Sequence, residues 1–247
     1  MPVVHTDAGQ LAPPEKLENI PALMSAYYTE VPDPGRPEQR VAFGTSGHRG
    51  TSLLCSFNEE HIYAITQAVC DYRKAQGIDG PLFLGGDTHA LSEAAFRSAL
   101  EVLTANNVAV RVPRHGAYTP TPAVSHAILR WNAGRATGLA DGIVITPSHN
   151  PPRDGGLAEA AVTRQIQSLA NVCLESGNRS VRLVSLRTAL ASPLVEEYDF
   201  IRQYVDDLAL VLDMKAIAAS GLKLGADPLG GASLPLWEPI AETYGLD

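Results

Sequence analysis

The chain alternates between segments with helical spacing of apolar residues and short, continuous apolar runs. Apolar residues that recur every three or four positions are typical of amphipathic helices, whereas short apolar runs next to glycine or proline are typical of buried strands. In the first 150 residues this contrast predicts helices over about 15–29, 57–76, 92–103 and 122–129. It predicts strands over 41–43, 82–84, 108–112 and 142–145.

Residues that commonly begin and end helices support the second of these helices. Ser56 and Glu59 have the spacing of a capping box at its start, and Gly77 stands where a helix C-cap is expected. Beyond residue 150, the same patterns predict helices over 157–174, 198–208 and 233–244. They predict strands over 181–184 and 222–226.

Strands that alternate with helices predict an α/β fold, a layered α/β/α domain with a mixed, largely parallel sheet. One strand and one helix cannot bury both of their faces, so residues 222–244 are interpreted as the first β-α unit of a second, similar domain. We therefore divide the chain into an amino-terminal arm and helix (1–37), a main domain (38–195), and a linker helix with the start of a second domain (196–247).

Composition narrows the functional classes. The net charge of −8 and the pI near 5.3 argue against a general nucleic-acid binder, which needs a basic face. No apolar run approaches the roughly 18 residues that cross a bilayer, and the amino terminus has no signal-peptide pattern. Three cysteines without metal-type spacing favour free thiols and a reducing compartment. We expect a cytoplasmic protein without a nucleic-acid or membrane partner.

Three polar loops, at 44–50, 85–89 and 146–152, each follow a predicted strand. Open α/β sheets bind ligands at the carboxyl ends of their strands. The three loops are therefore expected to converge on one crevice.

Ser148 and Arg49 are the sharpest candidates for chemistry in these loops. Ser148 lies between prolines that stiffen its loop, and the adjacent His149 could orient its hydroxyl or donate to a phosphate. Thr45, Ser46 and Arg49 stand among glycines, a composition that suits an anion site. Neither a nucleophile elbow nor a P-loop pattern is present. On these residues alone, a well-capped turn and a solvated arginine remain open alternatives.

A metal site is a further alternative. His48, His89 and His149 all lie in the three loops, but no zinc-type spacing joins them. Asp87 could assist a cation, although a helix cap is the simpler interpretation.

Four motifs occur in a fixed order along the chain, and together they are more specific than any of these residues alone. They are FGTSGHRG at 43–50, GDTHALS at 86–92, TPTPA at 119–123 and ADGIVITPSHNPP at 140–152. Together they resemble the first domain of bacterial phosphoglucomutases, in the α-D-phosphohexomutase superfamily. The late LGADPLGG at 224–231 is similar to the start of the second domain of that family.

The resemblance implies roles for individual residues. Ser148 would carry a phosphoryl group, hand it to glucose 1-phosphate, and regain a phosphate from the glucose 1,6-bisphosphate intermediate, which also serves as primer. Mg²⁺ would contact Ser148 through its phosphate. His149 and Arg49 would act at the transferring group. Substrate or phosphate binding would fall to Thr45, Ser46, His48 and Asn150.

The sequence also departs from the family pattern. Family members are about twice as long, and their aspartate-rich magnesium loop has no counterpart here, since no D-x-D-x-D occurs. After 153–157, the family has a lysine where this chain has Ala158, and about a dozen residues are missing. We therefore expect a truncated mutase with impaired turnover.

Two alternatives follow from these departures. The chain could be a phosphosugar-binding or phospho-acceptor module without turnover, or a structural remnant that self-associates or requires a complementary chain.

Overall fold

A computed structural model describes residues 8–44, 47–146 and 160–246. Within them, nine α-helices and six β-strands are formed. The helices are α1 (Ile20–Thr29), α2 (Glu59–Gln76), α3 (Ser92–Ala105), α4 (Thr121–Asn132), α5 (Ala160–Glu175), α6 (Leu186–Leu190), α7 (Phe200–Asp207), α8 (Met214–Ala219) and α9 (Leu234–Tyr244). The strands are β1 (Phe43–Gly44), β2 (Gly47–His48), β3 (Leu82–Gly86), β4 (Val110–Pro113), β5 (Asp141–Ile145) and β6 (Val195–Tyr198).

Four strands form one sheet in the order β5-β3-β4-β6, and all of its pairings are parallel. The two remaining strands, β1 and β2, form a separate antiparallel hairpin. The α/β prediction is confirmed. The expectation of a mixed sheet is not met, because the four paired strands all run in the same direction.

The alternating direction of the side chains along β3 explains why helices cover both faces of the sheet. Leu82 and Leu84 are fully buried in one apolar cluster with residues of α1, α2 and α3. Phe83 points to the opposite face and packs against α4 and Phe200. Successive side chains of a strand face opposite sides, so a strand buried on both faces needs a helix layer on each. The sheet therefore lies between two helical layers.

Helix α5 packs outside the first layer, against α2. Ala64 and Ala68 of α2 and Ala170 of α5 are fully buried at this contact. Small side chains allow two helices to approach closely. Val41 and Cys173 belong to the same cluster, and Cys70 of α2 is buried in the cluster that contains Leu82 and Leu84.

Several predicted boundaries are wrong for identifiable reasons. The first helix begins at Ile20, after a separate 3-10 turn at Pro14–Lys16. Asn58, not Ser56, is the N-cap of α2, because Ser56 Oγ instead accepts the Thr51 N–H at 3.0 Å. The C-cap prediction is confirmed, since Gly77 has a φ of 66°.

Two predicted strands are not formed. None of the strands in the described ranges pairs with 181–184, and the Arg182 N–H there donates to the Gln67 side chain at 3.0 Å. Residues 222–226 are exposed, and none of the described strands pairs with them. The helix that follows them, α9, is present.

One strand was missed. Val195–Tyr198 forms the edge strand β6, in a segment that the sequence assigned to a domain end and a helix. The helix α7 begins after it, at Phe200. None of the helices in the described part of the chain is long and apolar enough to cross a membrane.

Candidate active site

The strands that precede two of the three predicted loops, β3 and β5, end side by side at the carboxyl edge of the sheet. The Asp87 N–H, just after β3, donates to the Ile145 carbonyl at the end of β5 over 3.1 Å. Thr146 continues the chain from β5 toward Ser148. The Asp87–Ile145 bond joins the strand ends, whereas the loop at 146–152 lies outside the described residues beyond Thr146, so its convergence with the loop at 85–89 stays a prediction.

The loop after β3 is held by its aspartate. Asp87 Oδ1 accepts hydrogen bonds from the His89 N–H at 3.0 Å and from Ser92 Oγ at 2.5 Å. Ser92 is the first residue of α3, where a carboxylate is favoured by the helix dipole. Asp87 thus orders the loop that leads into α3, but it is not the helix cap that the sequence suggested, because the N-cap of α3 is Leu91 and no side chain caps it.

The TPTPA motif meets the same edge through Thr119, which is buried. Its N–H donates to the Gly86 carbonyl at 2.8 Å, and its Oγ1 accepts the Gly86 N–H at 3.2 Å. A Cβ on Gly85 would lie 2.6 Å from Val124 Cγ2 and 3.0 Å from Thr119 Oγ1. Glycine at position 85 therefore permits the close approach of α4 to β3.

The third loop has a different origin. Strands β1 and β2 pair Phe43 with His48 and Gly44 with Gly47, and Arg49 follows, exposed to solvent. We call residues 43–49 the arginine hairpin. It does not extend from the parallel sheet, which corrects the prediction that this loop follows a strand of the same sheet.

In the predicted strand at 41–43, Phe43 pairs with β2, but backbone groups of Val41 and Phe43 are also hydrogen-bonded to side chains of a helix. Asn171 of α5 accepts the Val41 N–H on Oδ1 at 3.0 Å and donates from Nδ2 to the Val41 carbonyl at 2.9 Å. One turn earlier, Gln167 Oε1 accepts the Phe43 N–H at 2.7 Å. We call Gln167 and Asn171 the amide clasp.

His48 anchors the other side of the hairpin. Its ring stacks on His61 with a centroid distance of 5.2 Å and on Phe57 at 6.1 Å. Its Nδ1 lies 3.2 Å from the Ala42 nitrogen, in position to accept that N–H. Burial lowers the pKa of His48. These contacts give His48 a packing role, and its part in phosphate binding stays a prediction.

Beneath His48, the fully buried His61 fixes the start of α2. Its Nδ1 accepts the Asn58 N–H at 3.2 Å, and its Nε2–H donates a hydrogen bond to the Gln39 carbonyl at 2.9 Å. This arrangement uses the neutral ring. Burial lowers the pKa of His61 to about 4, compared with about 6.5 for an exposed imidazole.

We therefore expect His61 to make folding sensitive to acid. Above pH 6.5 the ring is neutral in both states; as the pH falls toward 4, the unfolded chain binds a proton that the folded chain does not. The free energy of unfolding should fall by about 3 kcal/mol across this window through His61. Urea unfolding between pH 4 and 7 should give a flatter pH dependence for His61→Gln than for the wild type. Parallel curves for the two proteins would show that His61 is not the source.

The described residues do not bring the loop histidines to a metal site. His89 Nδ1 accepts the Leu91 N–H at 3.2 Å, whereas His48 stacks on His61. Across 8–44, 47–146 and 160–246, there is no group of three histidine, cysteine or acidic side chains that could hold an ion.

Five of the predicted site residues lie outside the described part of the chain: Thr45, Ser46, Ser148, His149 and Asn150. Arg49 and His48 are described, and both belong to the arginine hairpin. The amide clasp was not identified from the sequence. Its i, i+4 spacing on α5 was a visible signal, but nothing local points to Val41, 130 positions earlier.

Comparison with known proteins agrees with this architecture. Residues 40–181 match the family model of phosphoglucomutase/phosphomannomutase, alpha/beta/alpha domain I. The chain is 52% identical to a phosphoglucomutase of Komagataeibacter xylinus over all of this chain and 46% of that protein. It is 27% identical to a phosphoglucosamine mutase of Picosynechococcus over 83% of this chain and 41% of the relative. The chain thus spans about half the length of the curated relatives it matches.

Solved structures share the fold. A putative phosphomannomutase from Thermus thermophilus superimposes with a TM-score of 0.62 at 23% identity, over 84% of this chain and 44% of that one. The parafusin phosphoglucomutase from Paramecium, in its open form, gives 0.59 at 20% identity, over 75% and 38%. The family model spans the arginine hairpin, the sheet strands β3 to β5 and the Ser148 segment, and on that match the chain belongs to the phosphoglucomutase/phosphomannomutase family.

Proposed function

We propose that this chain provides the phosphoserine domain of a phosphoglucomutase that interconverts glucose 1-phosphate and glucose 6-phosphate. The observation that carries the proposal is the adjacency of the carboxyl ends of β3 and β5, where the Asp87 N–H donates to the Ile145 carbonyl, because the Ser148 segment follows β5 directly in the sequence. The 52% identity to a phosphoglucomutase supports the choice of a glucose phosphate.

The proposed reaction exchanges one phosphoryl group for another. The 6-hydroxyl of glucose 1-phosphate attacks the phosphorus on Ser148, forming a new P–O bond while the bond to Ser148 Oγ breaks and the hydroxyl proton is removed. The bisphosphate then reorients so that its other phosphate faces Ser148. Ser148 Oγ accepts the phosphoryl group from position 1, which releases glucose 6-phosphate. Glucose 1,6-bisphosphate added as primer would phosphorylate Ser148 by the same second step.

The proposed roles of neighbouring residues follow their chemistry. His149 would donate to the transferring phosphoryl oxygens or hold the hydroxyl proton. The Arg49 guanidinium, exposed on its hairpin, suits bidentate contact with a phosphate. Thr45, Ser46, His48 and Asn150 would complete the phosphate and substrate contacts.

Magnesium is part of the proposal only as a contact of the Ser148 phosphate. The described residues lack a cluster of ligands for it, so they do not by themselves fit a magnesium site, and we derive no step through the ion.

In a second candidate function, this domain works only when it is associated with a complementary chain or with a second copy of itself. Large apolar side chains are exposed near the carboxyl end, including Leu210 and Val211 at 79% and Leu229 at 88%. Exposed apolar surface of this kind favours association.

A cytoplasmic location would suit a hexose phosphate substrate.

The proposal is tested by locating the phosphate. The purified chain is incubated with Mg²⁺ and glucose 1,6-bisphosphate, digested, and analysed by mass spectrometry. We expect phosphate on Ser148. Phosphate confined to other serines, or none at all, would contradict the proposed role of Ser148 in this chain.

A further inference from the structure

Helix α5 contacts the chain that enters one of the two loops to which the proposed function assigns phosphate chemistry, and it follows the other loop in the sequence. It begins at Ala160, after the segment that carries Ser148, and its middle turns hold the chain that enters the arginine hairpin. One helix is therefore connected covalently to the serine segment and by hydrogen bonds to the arginine hairpin.

The clasp replaces a neighbouring strand. Val41 is 1% exposed, and its side chain packs among residues of α2 and α5. A buried backbone N–H and carbonyl without partners would cost stability. Asn171, itself only 9% exposed, satisfies both of them with a single side-chain amide.

Gln167 extends the same pattern by one step. It lies four residues before Asn171, on the same face of α5, and accepts the N–H of Phe43, the first residue of the hairpin. On the outer side, Arg40 forms an ion pair with Glu175, a further four residues along α5. Both side chains of that pair are partly exposed, so it is expected to add little to the clasp.

We propose that Gln167 and Asn171 are positioning residues for phosphoryl transfer, holding against α5 the arginine hairpin that carries Arg49. The inference rests on the proposed function. Neither residue touches substrate; both act through the backbone of Val41 and Phe43. Misplacement of a catalytic group by about 1 Å can cost on the order of 10²-fold in rate.

Matched substitutions separate the hydrogen bonds from charge and bulk. Gln167→Glu keeps the acceptor oxygen for Phe43 and should behave like the wild type, whereas Gln167→Met removes it. Asn171→Asp introduces the same charge as Gln167→Glu but places an oxygen against the Val41 carbonyl, and it should be impaired. Asn171→Leu removes both bonds. Gln165→Met, at an exposed position of α5, is the control for helix substitution.

The functional readout is the rate of Ser148 phosphorylation by glucose 1,6-bisphosphate as its concentration is varied. Gln167→Met, Asn171→Asp and Asn171→Leu should lower the saturating rate by about 10- to 100-fold, with a smaller change in the half-saturating concentration. Gln167→Glu and Gln165→Met should retain the rate. A merely structural role would lower stability without moving the saturating rate of the folded protein. Equal rates for all five variants and the wild type would overturn the inference.

Amide hydrogen exchange provides a second readout that does not depend on activity. The Phe43 amide in Gln167→Met and the Val41 amide in Asn171→Leu should exchange about tenfold faster or more, and the faster exchange should extend to Gly47–Gly50. Absence of phosphate on the wild type would refute the proposed function alone. Unchanged exchange at 47–50 would overturn the inference that the clasp positions the hairpin.

Discussion

Ser148→Ala is expected to abolish glucose phosphate interconversion, with a loss of about 10³-fold or more, because the covalent acceptor of the phosphoryl group is removed. The coupled assay measures glucose 6-phosphate formed from glucose 1-phosphate, with Mg²⁺ and glucose 1,6-bisphosphate present. Ser168→Ala is the matched control: Ser168 is exposed on α5, and its hydroxyl donates to the Arg164 carbonyl within the same helix.

The assay should be run in two forms, because the chain spans about half the length of its curated relatives. One uses the chain alone, for which we propose slow turnover, since no D-x-D-x-D loop occurs in its sequence. The other adds the part of the Komagataeibacter xylinus phosphoglucomutase that this chain does not match. Faster turnover in the mixture, lost in Ser148→Ala and kept in Ser168→Ala, would support a complementary chain. Turnover that persists in Ser148→Ala would refute the phosphoserine mechanism.

Arg73→Met is expected to lower the free energy of unfolding by about 3 kcal/mol. Arg73 is 4% exposed in α2, forms an ion pair with Asp141 at the start of β5, and donates to the Gly80 carbonyl at 2.5 Å. Removing the guanidinium leaves a carboxylate and a carbonyl without their partner. Because Asp141 is 36% exposed, water relieves part of this penalty, and the loss should lie at the lower end for buried pairs.

Urea unfolding measures this loss directly. Arg97→Met removes the same functional group from an exposed pair with Glu93 and should cost less than about 1 kcal/mol. Adding Asp141→Asn to Arg73→Met should restore part of the stability, since it removes the uncompensated charge. Equal losses for Arg73→Met and Arg97→Met would show that the buried pair contributes no more than a surface one.

The parts of the fold that follow from local pattern were predictable. The apolar run at 82–84 lies in the central strand β3, and Gly77 ends α2 with the left-handed conformation expected of a C-cap glycine. In both cases the cause is contained within a few residues: continuous apolar side chains for a strand buried on both faces, and a missing Cβ where φ is positive.

The edge strand β6 could not be predicted by the same means. Its sequence, VEEY, has two glutamates, and its partner β4 lies 85 residues earlier in the pairing of Arg111 with Glu196. Charged residues are typical of edge strands, and Glu196 forms an ion pair with Arg111 at 3.0 Å. What makes the segment a strand is this distant neighbour, which no local pattern contains.

For the candidate site too, some features could be predicted from the sequence and others could not. The order of four motifs identified the family, and the family model agrees with it. Strands β3 and β5 do end side by side at the carboxyl edge of the sheet, as the rule for open α/β sheets predicts, but the arginine hairpin does not belong to that edge and depends on side chains from α5. Helical amides bonded to a distant backbone have no sequence signature of their own.

The clasp also constrains the order in which the molecule is completed during synthesis. Its bonds join Phe43 to Gln167 and Val41 to Asn171, positions 124 and 130 residues apart. Contacts of such separation form late, because a long loop must close before they contribute, and a nascent chain folds from its amino terminus as it emerges. The arginine hairpin is synthesised early, but it cannot form its hydrogen bonds to α5 until that helix has left the ribosome. Until then the buried face of Val41 stays uncovered, so the hairpin reaches its position only after the strands β3, β4 and β5 have been synthesised.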